Sequence, residues 1–172
     1  MTEAAAPGEI DAKAFWQTLG QRATGMTVVT ADSDDGPTGF LGLSASHVTA
    51  SPPTMLVSID RKTHALAGVL SRRHFAINYL PAEAGGLADA FGGRTGVSGA
   101  ARFVPEDWTT LSSGAPILKS ALGAFDCAVT DIVEHGNISI VIGRVLAVHT
   151  RPDADPLVFF RGRNWRGVGD PA

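Results

Sequence analysis

Residues 125–148 have the sequence FDCAVTDIVEHGNISIVIGRVLAV, in which two segments rich in β-branched residues flank the polar stretch His135-Gly136-Asn137. A short stretch with glycine and asparagine between two such segments is typical of a β-hairpin. We therefore predict a long hairpin whose strands cover residues 125–133 and 138–148. A hairpin of this length indicates an antiparallel sheet, and this sets the fold class.

The rest of the chain consists of short strand-like and helix-like segments. Apolar or β-branched runs predict strands at residues 26–30, 38–49, 54–60, 75–80 and 157–160. The predicted helices cover about 12–24 and 63–71, a third begins at Pro81, and a glycine-rich loop follows at 92–100. Because regular βαβ alternation is missing, we predict a mainly β fold, an antiparallel, Greek-key-like barrel with short flanking helices.

The composition indicates one globular domain. Of 172 residues, 44% are hydrophobic and 18% are charged, which suits one sizeable core. We expect a mobile tail over residues 1–10 and a single domain over 11–172. The net charge is −3 without any basic run, which argues against nucleic acid as a partner.

The sequence also bears on the cellular compartment. No apolar stretch approaches the ~20 residues that span a bilayer, so we expect no membrane partner. The N-terminus MTEAAAPGEI has no basic region followed by an apolar one, so a signal peptide is not indicated. Cys127 is the only cysteine, which fits a reducing compartment. We therefore expect a cytoplasmic protein.

Residues 39–49, GFLGLSASHVT, form the first candidate site because they combine small residues with hydroxyl groups. Small residues let a planar ligand approach the backbone, and amide and hydroxyl groups can then bond to a polar heterocycle. The alternative interpretation is a strand with a bulge and ordinary surface serines.

The second candidate site is Asp60-Arg61-Lys62-Thr63-His64, at a strand end that enters a predicted helix. A helix N-terminus offers unpaired N–H groups and a partial positive charge. Two cations and a hydroxyl group beside it would make a phosphate site. The alternative is a solvated basic turn in which Thr63 simply caps the helix.

Several common catalytic and nucleotide motifs are missing. The sequence has neither a Rossmann fingerprint between strand and helix nor a Walker A motif, and Gly42 to Ser46 does not have the spacing of a nucleophile elbow. The five histidines show no metal-binding spacing, so no metal site is predicted. Any nucleotide cofactor must therefore bind in a non-Rossmann manner.

Seven segments occur in an order and spacing that are specific only when taken together: ATGMTVVT (23–30), GFLGLSASHVT (39–49), Pro52-Pro53, FAINYL (75–80), GAPIL (114–118), IGRV (142–145) and PLVFFRGR (156–163). With them, the chain resembles the flavin reductase-like family from about Phe15 to Arg166. The resemblance implies an FMN-binding split β-barrel and a homodimer with flavin near its interface. Members of the family typically reduce free flavin with NADH or NADPH, often to supply a partner monooxygenase. The expected cofactor of this chain is FMN, with FAD as the alternative.

The resemblance also implies roles for particular residues. The residues expected to contact the isoalloxazine ring are Leu41, Gly42, Leu43, Ser44, Ala45, Ser46, His47 and Val48. Those expected to bind the ribityl phosphate are Arg61, Lys62, Thr63 and His64.

The chain departs from the family pattern in two places. Leu41 to Ala45 stand where the family commonly has Thr-Ala-Asn-Ser-Phe, so ring contacts would depend on Ser44 and backbone amides. Gly136-Asn137-Ile138 stand where the family often has Gly-Asp-His, with a histidine that contacts the nicotinamide nucleotide. We expect His135 to point to the opposite strand face or into the turn.

These observations predict an FMN-dependent oxidoreductase that transfers hydride from NAD(P)H to flavin. Such a transfer depends on positioning more than on acid–base chemistry, so we name no catalytic side chain. Two alternatives stay open. One is a flavin-binding electron carrier without efficient NAD(P)H oxidation, which the Ile138 replacement favours. The other is a reductase whose final acceptor is a corrin or a metal complex.

Overall fold

The computed structural model describes residues 8–170 and is mainly β. Most of the expected tail, residues 1–7, lies outside the described part of the chain. The three helices of this part are α1 (Ala12–Leu19), α2 (Ala65–Arg72) and α3 (Gly85–Phe91). Its strands are β1 (Thr24–Gly25), β2 (Thr27–Ala31), β3 (Thr38–Gly42), β4 (Ser46–Ala50), β5 (Pro53–Asp60), β6 (His74–Tyr79), β7 (Trp108–Thr110), β8 (Pro116–Leu118), β9 (Gly123–His135), β10 (Ile138–Thr150), β11 (Leu157–Phe160) and β12 (Arg163–Arg166).

Seven strands form the main sheet, in the order β3-β2-β6-β9-β10-β5-β4. The hairpin of β9 and β10 lies near its middle, and every pairing in it is antiparallel. The connection between the edge strands β3 and β4 has only three residues, 43–45, and can span at most about 14 Å. The sheet must therefore curl so that its two edges approach each other, although no ladder closes between them within residues 8–170.

The curled sheet encloses two clusters of buried apolar residues. The first lies between the inward faces of the long strands and α2, and includes Val57, Ile59, Phe75, Ile77 and Val141. The second lies towards α3 and the loops that follow it, and includes Met26, Val28, Leu80, Phe91 and Phe103. Alternate burial along β5 leaves Leu56, Ser58 and Asp60 on the other face of the sheet, half-buried.

A smaller sheet of β1, β11 and β12 adjoins α1. Asp11 caps α1 by accepting a hydrogen bond from Ala14 N at 2.6 Å, and Gly20 follows its last residue. The backbone N–H of Arg161, in the β11–β12 turn, donates to the carbonyl oxygen of Gly20 at 3.0 Å. None of the residues of α1 is buried, so this helix lies on the surface.

The structure confirms the predicted fold class and the central hairpin, whose strands extend beyond the predicted ends. Three boundaries were wrong. The first helix ends at Leu19 rather than at residue 24, because Thr24 and Gly25 pair with β11. Residues 38–49 form two strands rather than one, because the chain passes from one sheet edge to the other. The third helix begins at Gly85, because Pro81 forms a bridge with Pro156.

Strands β7, β8 and β12, which have only three or four residues each, were not predicted from the sequence. Such short strands lack a hydrophobic period and form because a partner is near. Within residues 8–170, the helices are too short or too polar to cross a membrane.

Candidate functional site

Ser44 joins the first candidate segment to strand β5. Its hydroxyl group donates to the carbonyl oxygen of Ser58 at 3.1 Å and accepts from the Ser58 N–H at 3.2 Å. The side chain thus continues the β4–β5 ladder beyond Ser46, which pairs with Leu56. The segment 43–45 is therefore fixed beside the end of β5 that leads into α2.

Asp60, the last residue of β5, organises the second candidate segment. Its side chain accepts a hydrogen bond from Lys62 N at 2.8 Å, and its carbonyl oxygen accepts one from Thr63 N at 2.8 Å. Its second carboxylate oxygen accepts a hydrogen bond from the side chain of Asn137 at 2.8 Å. Asp60 therefore fixes the turn into α2 and attaches it to the β9–β10 turn.

The N-terminus of α2 has no side-chain cap. The N-cap residue is His64, whose side chain makes no capping bond, and Thr63 does not cap the helix either. Among the described residues, the backbone N–H groups of His64 and Ala65 have no acceptor. The interpretation of Thr63 as a plain N-cap is therefore wrong, and the helix presents unpaired donors. Lys62 lies exposed beside them and Thr63 is half-buried.

Arg61 is held by an ion pair. One guanidinium nitrogen lies 2.6 Å from a carboxylate oxygen of Glu134, and the side chain of Ser139 also donates to this carboxylate at 2.9 and 3.0 Å. The hydrogen bonds from Arg61 and Ser139 lower the pKa of Glu134 below its ordinary value. The charge of Arg61 is thus partly balanced in this arrangement, whereas Lys62 has no such ion pair within residues 8–170.

The β9–β10 turn lies beside the same end of β5. Ile138 is the register partner both of Asp60 on β5 and of His135 on β9. Directly opposed residues of an antiparallel pair extend from the same face of the sheet. His135, which is exposed, therefore shares a face with Ile138 and Asp60, and the expectation that it points to the opposite face or into the turn was wrong. The prediction failed because a two-residue turn makes residues 135 and 138 a cross-strand pair.

The remaining ring candidates have different surroundings. Leu41 and Leu43 pack partly against the second core cluster, and Ala45 against the first. Gly42 is buried, where a Cβ atom would lie 3.0 Å from Cγ2 of Val29. Only part of these side chains can therefore meet a ligand.

His47 and Val48 lie on the edge strand β4 and are exposed, as is Ser46. His47 pairs with Met55, which precedes Asp60 by five residues on β5. His47 therefore lies about 17 Å from Asp60 along the strand direction. Within one chain, these two residues therefore lie well away from the α2 entrance.

Several residues at this end of the sheet were not predicted as candidates: Ser58, Glu134, Asn137 and Ser139. Asp60 was named as part of the second candidate segment, but no role was predicted for its side chain. For Asp60 a local signal existed, because an aspartate often bonds to the backbone two residues later in a turn. The contributions of Glu134 and Ser139 depend on the pairing of distant strands, and the sequence held no local signal for them.

Comparison with known proteins bears on the family and the fold of the chain. Residues 19–167 match the profile of a family described as "Flavin reductase like domain". The chain belongs to the flavin reductase-like family. Its relatives include FMN reductase (NADH) RutF 2 of Methylorubrum extorquens (strain PA1), which is 36% identical over 165 residues, 96% of this chain and 94% of the relative.

Solved structures of family members have the same fold. BorF, the flavin reductase component of a bacterial two-component tryptophan halogenase, superposes with a TM-score of 0.84 at 28% identity, over 94% of this chain and 100% of BorF. The NADH:FAD oxidoreductase SgcE6 of Streptomyces globisporus C-1027, solved in complex with NAD and FAD fragments, gives a TM-score of 0.83 at 26% identity, over 96% and 100%. The predicted family and fold class are thereby confirmed.

Proposed function

We propose that this protein is an NADH-dependent flavin reductase that binds FMN at the end of β5 where Ser44 and the α2 entrance meet. The observation that carries the proposal is the pair of hydrogen bonds between Ser44 and Ser58, which brings the small-residue segment to within two residues of Asp60 along β5. One cofactor could thus contact both segments. The relatives named FMN reductase (NADH) support the choice of FMN and NADH.

The donors at the α2 entrance fit a flavin phosphate. The unpaired N–H groups of His64 and Ala65, the hydroxyl group of Thr63 and the ammonium group of Lys62 are the donors that a phosphate dianion prefers. Arg61 would join them only by sharing or leaving its ion pair with Glu134.

The isoalloxazine ring would lie along the segment 41–46. Leu41, Leu43 and Ala45 offer partly exposed apolar surface, and the backbone between Ser44 and Ser46 offers donors to the polar edge of the ring. His47 and Val48 remain proposed ring contacts, and their distance from the α2 entrance suggests that they contact flavin bound by a second subunit.

Flavin, when bound, supplies the hydride acceptor. The protein's residues would then hold the two rings stacked, exclude water from the contact and donate hydrogen bonds to the pyrimidine edge, where negative charge increases on reduction. None of these tasks needs a proton transfer from a side chain.

The proposal is tested by anaerobic mixing of the purified protein and FMN with NADH. Loss of the oxidised-flavin absorbance at a rate of many turnovers per minute supports the reductase. Failure of the pure protein to bind any flavin would exclude it. A parallel measurement with NADPH gives the preference between the two nucleotides.

A second candidate function is favoured by Ile138, which stands where the family often has a nicotinamide-contacting histidine. The protein would then be a flavin-binding electron carrier. Bound FMN that NADH does not bleach, but that dithionite does, would identify it. A screen of corrin and metal-complex acceptors with the reduced protein tests the remaining alternative.

We further propose that the protein is a cytoplasmic homodimer with flavin near its interface. This dimer would supply reduced flavin to a partner monooxygenase. Structural relatives that are components of monooxygenases support such a partner. Exposed apolar side chains support an interface, since 54% of Phe15 and 47% of Val48 are accessible. Sedimentation equilibrium of the wild type and of Phe15→Asp tests the dimer.

A further inference from the structure

Glu134 lies on the side of the main sheet that α2 covers. It is the register partner of Ser139, which in turn pairs with Ile59 on β5. Directly opposed residues extend from the same face of a sheet. Ser139 is buried, and Ile59 belongs to the core cluster that also contains Leu66 of α2. The carboxylate of Glu134 therefore lies on the same side of the sheet as α2, whereas His135 lies on the other side.

Arg61 is fixed through its backbone and held through its side chain. Its backbone N–H donates to the carbonyl oxygen of Asn137 at 2.9 Å. Its Nε and one terminal nitrogen both donate to the same carboxylate oxygen of Glu134, at 3.0 and 2.6 Å. The hydroxyl group of Ser139 holds this carboxylate from the buried side. The guanidinium group therefore has a defined resting position, which its side chain can leave without any change in the backbone.

The ion pair is exposed to solvent. The accessible fractions are 53% for the side chain of Arg61 and 47% for that of Glu134. Ion pairs with this exposure contribute little to stability, because water solvates both charges when they separate. A phosphate dianion carries more charge than a carboxylate and accepts two parallel hydrogen bonds from a guanidinium group. A phosphate bound nearby can therefore take Arg61 from Glu134.

The unpaired donors of the α2 entrance are close to Arg61 along the chain. His64 follows it by three residues, so the two Cα atoms are at most about 11 Å apart. The hydrogen bond from Thr63 N to the carbonyl oxygen of Asp60 closes a turn and shortens this distance further. Rotation of the Arg61 side chain can thus bring it to an anion at the N–H groups of His64 and Ala65. Such an anion and Glu134 are alternative partners of one cation.

We propose that Glu134 competes with the flavin phosphate for Arg61, and that this competition keeps FMN exchangeable. The inference rests on the proposed flavin reductase function, in which reduced flavin leaves for another enzyme. Without flavin, Arg61 pairs with Glu134. Bound FMN draws Arg61 to its phosphate, and recovery of the ion pair favours release. Glu134 is thus a positioning residue that acts through Arg61 and takes no part in hydride transfer.

The first arm of the test compares FMN with riboflavin, which has the same ring but no phosphate. Glu134→Gln should tighten FMN about threefold to fivefold and leave riboflavin unchanged. Fluorescence titration gives the two Kd values, and stopped-flow displacement should show that the gain lies in slower FMN dissociation. Glu134→Ala should give the same gain, so the result does not depend on one variant. Glu106→Gln, at an exposed position outside the site, is the matched control.

The second arm asks whether the gain passes through Arg61. Loss of a carboxylate near a phosphate would tighten FMN by simple charge repulsion even without Arg61. We therefore combine Glu134→Gln with Arg61→Ala in a double-mutant cycle. Competition predicts that Arg61→Ala alone weakens FMN several-fold, and that Glu134→Gln changes the Kd for FMN by less than about 1.5-fold in the Arg61→Ala background.

Each outcome decides the inference. A gain for FMN alone that disappears in the Arg61→Ala background supports competition. An unchanged Kd for FMN, an equal gain for riboflavin, or a gain that persists without Arg61 overturns the inference, while the wild type still binds FMN and reduces it with NADH. A wild type that binds no flavin would instead end the proposed function and this inference with it, so the two failures are distinguishable.

Discussion

The hydroxyl group of Ser44 bonds to both backbone groups of Ser58, donating to the oxygen at 3.1 Å and accepting from the nitrogen at 3.2 Å. A side chain thereby replaces one step of a β-ladder, where the connection from β3 to β4 leaves regular structure. This link determines that the small-residue segment and the α2 entrance lie at the same end of one strand.

Replacing Ser44 with alanine should weaken FMN binding roughly fivefold, because the loss of two hydrogen bonds releases the segment 43–45 from β5. Fluorescence titration of FMN measures this. Ser112→Ala, at an exposed loop position, is the control. An unchanged affinity for FMN would separate Ser44 from the cofactor site.

Replacing Lys62 and Thr63 together with alanine should weaken FMN more than riboflavin, because only FMN carries the phosphate. We expect a loss of about tenfold or more for FMN and little for riboflavin. Titration of both flavins against the double variant checks this. Equal losses for the two flavins would remove these residues from phosphate binding.

Glu134→Gln should change stability in a pH-dependent way. Hydrogen bonds from Arg61 and Ser139 lower the pKa of Glu134 from its ordinary 4.5. A carboxyl whose pKa is lower in the folded state stabilises that state above its unfolded pKa, and this contribution is lost as pH falls through the folded pKa.

The free energy of unfolding of the wild type should therefore exceed that of Glu134→Gln by a constant amount at neutral pH, and the difference should shrink below about pH 4.5. Urea titrations at a series of pH values measure it. Glu106→Gln, at an exposed position, serves as the control. A difference that does not change with pH would exclude the ion pair as its source.

His135→Ala tests whether the β9–β10 turn contacts the nicotinamide nucleotide. Because His135 shares a face with Ile138 and Asp60, its imidazole can reach a nucleotide bound there. We expect kcat/KM for NADH to fall several-fold, about 1 kcal/mol for one lost hydrogen bond, with the Kd for FMN unchanged. Activity equal to that of the wild type would show that the turn takes no part.

Gly143→Ala should destabilise the central hairpin. A Cβ atom at this position would lie 2.6 Å from Cε1 of Phe75 and 3.0 Å from Cβ of Cys127, both in the first core cluster. Such overpacking costs typically about 1–3 kcal/mol. Urea unfolding measures the loss, and Gly123→Ala in the same hairpin, whose nearest neighbours are 3.6 Å away, should be nearly neutral. Comparable losses in the two variants would contradict the proposed crowding.

The long strands could be predicted because their signals are local. Residues 125–148 carry a turn and two β-branched segments, and the hairpin follows from these alone. The three short strands β7, β8 and β12 were not predicted, because three or four residues carry no hydrophobic period, although each strand pairs with one close to it in the sequence. A different reason explains the early end of α1: Thr24 pairs with Phe159, a partner that only the fold brings near.

The sequence by itself determined the antiparallel class, the hairpin and the chemical character of the two candidate segments, because residue type and spacing carry this information. The tertiary structure alone decided that Ser44 bonds to Ser58, that Glu134 pairs with Arg61 and that His135 faces the same side as Asp60. These relations join residues 14 to 75 positions apart, or depend on a strand register, and only the curling and pairing of the sheet can fix them.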